Sequence, residues 1–262
     1  MTEAEIAGTA SWTAQAGLEG RAETALVEGF CRRAVAGGLP VARAIAIIDT
    51  LHPIYEGRAF RWERDEGKAK LEEYGSSDEG ELAERWRRSP LYRLWRSGDS
   101  LLWVRVTPES IAEFPTLAEL SEGSIVDHVA TINRFAADGV IGEMDCFYSL
   151  WMTDRAPGFT DDDIAALQRL APYLGLAIKC ASLARIAQTL VETYLGRDAG
   201  RRVLTGRIQR GVADRIDTVL WFSDLRDYTR AVDTMPPDEI IRCSTTMQAR
   251  SRRRSIRIQA TS

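Results

Sequence analysis

Residues 219–229 place an apolar run, Val219-Leu220-Trp221-Phe222, almost directly before a carboxylate, Asp224. Leu225, a basic residue (Arg226), Asp227, Tyr228 and a hydroxyl (Thr229) follow it. The run reads as a buried strand. A carboxylate at the open end of a rigid strand is one way to hold a hard divalent cation. The turn after it aims backbone N–H groups at an anion if a helix begins there. Together these parts suit phosphoryl transfer, in which a metal ion offsets charge on phosphate oxygens. A plainer role is also open, because Asp after an apolar strand is a good N-cap for the next helix. A complete metal site needs further ligands, and these are expected downstream of Ser262.

The elements that would carry such a site divide the chain into segments. Residues 1–17 are small and polar without a convincing period, so a disordered N-terminus is expected. A helix is expected over 18–36, with Leu26, Phe30 and Ala34 on one face and Gly37-Gly38 closing it. Strands are expected over 41–50, 58–63 and 101–106, from their β-branched or alternating residues. Residues 68–90 read as a loop with a short helix around 82–88, and 114–122 as a helix. A hairpin across Glu143-Met144 is expected from strands near 139–142 and 145–153. Thr160 is a good N-cap, with Asp161, Asp162 and Asp163 where the helix dipole favours acids. The helix after it carries one stripe of Leu167, Leu170, Leu174, Ala177, Ala181 and Ala184. A second stripe runs through Leu183, Ala187, Leu190 and Tyr194. Pro172 should kink it. Its length makes a paired-helix homodimer contact as natural as intramolecular packing.

Composition narrows the classes. The net charge of −4 is made of +6 over residues 242–262 and −10 over the first 241. The acidic body disfavours a nucleic-acid role. The segment Arg250-Ser251-Arg252-Arg253-Arg254-Ser255 is a basic patch without apolar period, so 242–262 is expected to be a disordered tail. The abrupt change of character after Ile240-Ile241 resembles a sequence that has left its reading frame. No apolar run reaches the ~18 residues of a membrane span, and no signal peptide opens the chain. Cys31, Cys146, Cys180 and Cys243 are scattered without metal-ligand spacing, as expected of reduced cytoplasmic thiols. His52 and His128 likewise lack ligand spacing. Trp62, Trp86, Trp95 and Trp103 are candidates either for a ligand pocket or for ordinary core packing.

The order of elements over residues 20–180, helix, strands, helix, strand pair, long exit helix, resembles a GAF domain. Phe159-Thr160-Asp161-Asp162-Asp163-Ile164, followed by Leu167, Leu170-Ala171 and Leu174, resembles the final helix of that fold. The Asn-Lys…Phe…Asp-Glu pattern of cyclic-nucleotide-binding GAF domains does not recur here.

Thr193 to Gly206, with Tyr194-Leu195-Gly196, followed by 219–229, resembles the entry to a class III nucleotide cyclase domain. Phe222, Asp224, Leu225, Tyr228 and Thr229 match the family's Phe-x-Asp-Leu/Ile-x-x-Phe/Tyr-Thr, and Asp227 stands where the family often has Gly. Pro236-Pro237-Asp238-Glu239-Ile240-Ile241 resembles the loop and helix start that follow. The resemblance implies an α+β chain: a GAF-like sensor domain over 18–180, a helical linker over 181–206, and over 207–241 the first strand and helix of a ferredoxin-like cyclase domain. It implies that Asp224 and the Leu225 carbonyl ligate Mg2+ or Mn2+. Backbone N–H groups of Leu225, Arg226, Asp227, Tyr228 and Thr229 would hold the phosphates of ATP or GTP. The family's second metal-binding Asp, purine-selecting pair and transition-state Asn and Arg all fall later than Ile241. This chain alone is therefore expected to be catalytically silent. A non-enzymatic sensor or a dimerising adaptor is the other expectation.

Overall fold

Strand β1 (Arg43–Asp49) shows the two-residue period from which the fold is built. Ala44, Ala46 and Ile48 enter one core, while Ile45 enters a second on the opposite face. In β2 (Gly57–Glu63) Phe60 and Trp62 join the first core and Ala59 the second. In β6 (Cys146–Thr153) every residue is buried, with Phe147 and Trp151 on one side and Tyr148, Leu150 and Met152 on the other. Such a strand must lie centrally, covered on both faces. With β3 (Ala69–Tyr74), β4 (Leu101–Arg105) and β5 (Asp127–Arg134) they form a six-stranded sheet ordered β3-β2-β1-β6-β5-β4. All its neighbours are antiparallel.

The computed structural model describes residues 1–75, 79–121, 124–136, 140–142, 144–208, 228–236 and 239–242. The chain divides into two units, Met1–Ile208 and Gln209–Ser262. The first is a mixed α+β domain. Helices α1 (Glu3–Leu18), α2 (Glu23–Ala36) and α7 (Asp161–Leu195) belong to its first core, through Leu26, Phe30, Leu167, Leu170 and Leu174. Each fully buried Leu or Phe of this kind contributes about 1.5–3 kcal/mol. The opposite face carries α3 (Gly80–Arg87) and α4 (Pro90–Ser97), the latter contributing Leu91 and Leu94 to the second core. Two short helices, α5 (Pro108–Glu113) and α6 (Thr116–Leu120), precede β5. Helix α8 (Arg197–Leu204) packs on α7. In the second unit, α9 spans Tyr228–Thr234, and residues 239–242 are helical.

The N-terminus corrects the expectation of a disordered segment 1–17. Thr2 and Glu5 close a capping box, Thr2 Oγ1 accepting from the Glu5 amide at 3.3 Å and Glu5 accepting from the Thr2 amide at 2.7 Å. The buried face of α1 is Ile6, Thr9, Ala10, Thr13 and Ala16. Small residues give little apolar signal, yet they let two helices approach closely. A Cβ on Gly17 would sit 3.1 Å from that of Ala177 on α7.

Helix α7 begins at the expected cap: Thr160 Oγ1 accepts from the Asp163 amide at 3.2 Å. It continues through Pro172 to Leu195 as one 35-residue helix. It is long and apolar enough to cross a membrane by composition, with a window of mean hydropathy 1.4. Its apolar residues have a use inside the domain, however, since Leu167, Leu170, Leu174 and Ile178 are fully buried in the first core. Leu183 and Leu190, the expected pairing seam, are partly buried against that same core, whereas Tyr173 and Leu176 are exposed.

Strand β5 was not among the expected strands, because its buried residues include Asp127, His128 and Thr131. Asp127 accepts from Trp103 Nε1 at 2.8 Å, the Phe159 amide at 2.9 Å and the His128 amide at 3.0 Å. One carboxylate thus ties β4, β5 and the entry to α7 together. Burial raises its pKa, against those hydrogen bonds and the charge of Arg105. Burial lowers His128 from 6.5 to about 4. The unfolded chain therefore binds an extra proton between those values, and stability falls as pH drops from 6.5 towards 4. We expect a loss on the order of 3 kcal/mol from this group across that window. Denaturant titrations at stepped pH check it: His128→Gln should flatten the profile, and an unchanged slope would remove His128 as its cause.

Candidate ligand cavity

The face of the sheet that carries the second core is not filled. Between it and α3, α4 and α6 lies a cavity of about 1140 Å³. Ile45 and Ile47 of β1, Ala59 of β2 and Leu150 of β6 line it from the sheet. Strand alternation puts them there, since each is one residue out of phase with the first core. Leu82, Trp86, Leu91 and Trp95 line it from the helices. The helical wall exists because Ser89 and Pro90 start α4: Ser89 Oγ accepts from the Tyr92 amide at 3.1 Å, and Pro90 takes the first helical position. Trp86 meets Tyr148 edge-on at 5.4 Å between ring centroids.

One end of the cavity is acidic. Asp49 ends β1, Tyr74 ends β3, Asp145 precedes β6, and all three line the space with Glu56 and Tyr148. Tyr74 Oη donates to Asp49 Oδ1 at 2.7 Å across β2. Gly57 makes that approach possible, because a Cβ there would lie 2.0 Å from Tyr74 Oη. Cys146 Sγ donates to Asp145 Oδ1 at 2.8 Å. Burial, then the Asp49 carboxylate, holds the Tyr74 phenol well above its usual range. Burial and then Cys146 do the same to Tyr148, with Asp145 and Asp49 adding to the effect. Both phenols therefore stay protonated and can donate. Two guanidiniums line the cavity, and each is already paired with a carboxylate of the wall: Arg61 with Glu72 at 2.7 Å, Arg85 with Glu119 at 2.6 Å. Thr116 Oγ1 is buried on the lining without a hydrogen-bond partner among the described residues.

Of the four tryptophans singled out in the sequence, Trp86 and Trp95 line the cavity. Trp62 belongs to the first core, and Trp103 is held by Asp127. The acids Asp49, Glu56 and Asp145 were not foreseen. Their only sequence signal is that two of them flank strands, at a strand end and a strand start.

Of the residues expected to hold metal and phosphate, Asp224, Leu225, Arg226 and Asp227 lie outside the described residues. Tyr228 and Thr229 open helix α9. Among the described residues no group of three or more His, Cys, Asp or Glu is arranged to hold a metal ion. Cys31 and Cys146 are buried free thiols and Cys180 an exposed one. His52 has a local use, its Nδ1 accepting from the Ile54 amide at 3.2 Å.

Fold and cavity together define a mixed α+β domain with room for a small molecule on one face of its sheet. No protein-family model matches the chain, and no curated protein does. Among solved structures the chain is similar to SdiA of Escherichia coli, at 13% identity and a TM-score of 0.32. That match covers 76% of this chain and 84% of the other. A likeness that distant carries no functional argument.

Proposed function

We propose that this protein belongs to cyclic-nucleotide signalling. Residues 18–180 act as a GAF-like sensor that takes a small molecule in the cavity. Residues 181–206 relay its state, and 207–241 begin a class III cyclase catalytic domain. In an intact cytoplasmic homodimer the reaction would be attack of a ribose hydroxyl of ATP, or of GTP, on the α-phosphate, with pyrophosphate leaving. Asp224 and the Leu225 carbonyl would hold Mg2+ or Mn2+ for that step.

The observation that carries the sensor half is the cavity of about 1140 Å³ with its mixed aromatic and polar wall. Ligand sites have this character: concave, mostly apolar, with a few placed polar groups. The succession of elements on which the GAF resemblance rests also supports it. The cyclase half rests on the residues around Asp224. A second reading has its own support. The cavity lies wholly within Met1–Ile208, so a non-enzymatic sensor or adaptor would need nothing from the second unit.

Filling the cavity tests the sensor. Ala59→Trp places an indole where the sheet lines the space, and circular dichroism establishes that the variant folds. Thermal shifts against a metabolite library are then compared. We expect at least one compound to raise the wild-type melting temperature by several degrees and to leave the variant unmoved. Identical profiles for the two proteins would refute the cavity as a binding site.

A further inference from the structure

The two edges of the sheet are finished differently. The outer strand β3 carries Lys70, Glu72 and Glu73, each in an ion pair, with Glu66, Arg61 and Arg58. Charges on an edge strand keep other strands from adding to it. The opposite edge, β4, has no charge from Leu101 to Val104. The Ile132 amide donates to the Ser100 carbonyl and the Val106 amide to the Val126 carbonyl, both at 3.0 Å. The backbone groups of the even-numbered residues therefore face β5, and those of Leu101, Trp103 and Arg105 face outward. Among the described residues nothing bonds to these outward groups. Trp103 is 37% exposed, and the Arg105 guanidinium stands over its ring, 5.6 Å from the centroid. The residues before the strand are held in place: Arg134 donates to the carbonyls of Gly98 and Asp99 at 3.3 and 3.0 Å. Asp99 itself is exposed, and its carboxylate has no partner among the described residues.

We propose that β4 pairs antiparallel with β4 of a second copy of this chain, joining the two sheets into one. The register that uses the whole strand is centred on Trp103. It sets Trp103 opposite the partner's Trp103, and Leu101 opposite the partner's Arg105. Each facing pair exchanges N–H···O bonds in both directions, so the outward groups of Leu101, Trp103 and Arg105 are all satisfied. Arg105 then lies diagonal to the partner's Asp99, within reach of a long side chain. The two-fold axis repeats that contact at the other end. A second copy thus supplies an acid to Arg105 and a base to Asp99 at once, which singles it out as the occupant. The contact is isologous and closes on itself. The charged edge β3 keeps the joined sheet from growing further. This takes the homodimer of the proposed function and gives it a contact, and it needs neither the ligand nor the catalytic segment.

Sedimentation velocity on the full chain tests it. The wild type should run as a dimer. Arg105→Glu and Asp99→Arg, both on the surface, should each raise the dissociation constant of the dimer roughly tenfold or more, since like charges then meet at both ends. The double swap, Asp99→Arg with Arg105→Glu, should restore wild-type association, because the pairs reform with their signs exchanged. Circular dichroism establishes that each variant folds. Leu176→Glu, on the exposed face of α7, should leave the dimer intact. A dimer that both single swaps leave unchanged, or that the double swap fails to restore, overturns the inference. A dimer broken by Leu176→Glu moves the contact to α7, which overturns the inference and leaves the proposed homodimer standing. A chain that stays monomeric at high micromolar concentration overturns both.

Discussion

Glu23→Ala is expected to cost the domain about 3 kcal/mol, because it takes from the buried Arg58 its one buried carboxylate and leaves it only the half-buried Glu73. The Glu23 side chain is 3% exposed and that of Arg58 is 7%. Arg58 donates to Glu23 at 2.9 Å, and Arg185 donates to both of its oxygens, at 3.0 and 2.7 Å. Glu23 is also the first residue of α2, where Ala22 supplies no side-chain cap and a negative charge is favoured. Burial pushes the Glu23 carboxyl up, but Arg185, a backbone amide and Arg58 together bring it below its usual 4.5. The pair's stabilisation is therefore fully present above that value and lost as pH falls through the lowered pKa. Urea denaturation at neutral pH measures the loss. Glu23→Gln should cost less, since it keeps hydrogen-bonding atoms in place. A double-mutant cycle with Arg58 isolates the pair. A midpoint for Glu23→Ala equal to wild type would show that the network contributes nothing.

The largest effect is expected at Asp224, in a chain that carries a full family-like catalytic segment. Asp224→Asn keeps the size and hydrogen bonding of the side chain and removes the charge. If the carboxylate holds the metal, turnover of ATP should fall by two orders of magnitude or more, because the phosphates lose a fixed counter-ion worth several kcal/mol. If Asp224 serves only as a helix cap, Asn caps about as well, and both activity and stability should survive. Wild-type turnover in the Asn variant would therefore dispose of the metal role. The contrast works because the two roles ask for different properties of one side chain.

What was legible in the sequence follows from where a single physical pattern dominates. The runs of β1, β2, β4 and β6 are apolar or alternating, and they are strands. Thr160 with Asp163 is a complete capping signal, and α7 starts there. The missed strands share a cause. In β3 the residues Lys70, Glu72 and Glu73 mask an edge strand as a charged loop. In β5 the buried Asp127, His128 and Thr131 break the apolar run, because Asp127, Thr131 and the Nε2 of His128 find protein partners in place of water. Helix α1 escaped because alanines and threonines form its buried face. The cavity was half legible: aromatic residues flagged Trp86 and Trp95, but its acids come together only through sheet register. Asp49 pairs with Gly57, Gly57 pairs with Tyr74, and no spacing along the chain encodes that.

The Glu23 network has a mechanical consequence. Edge strand β3 reaches Arg58 through Glu73, Arg58 reaches Glu23, and Glu23 grips Arg185 on α7. Arg185 stands beside Ile186, the last buried residue of that helix. The grip is thus a fulcrum beside the helix's last fully buried residue, beyond which partly buried contacts such as that of Leu190 continue. From Arg185 to Leu195 the helix extends ~15 Å as an arm, at ~1.5 Å per residue. A tilt of ~10° at the fulcrum would carry the tip ~2.6 Å, by that same rise. A sub-ångström strain in the cavity-side strand would then arrive at α8 enlarged. The load would also travel backwards: for a ligand held in the cavity, a clamp on the tip would change that hold by equal measure.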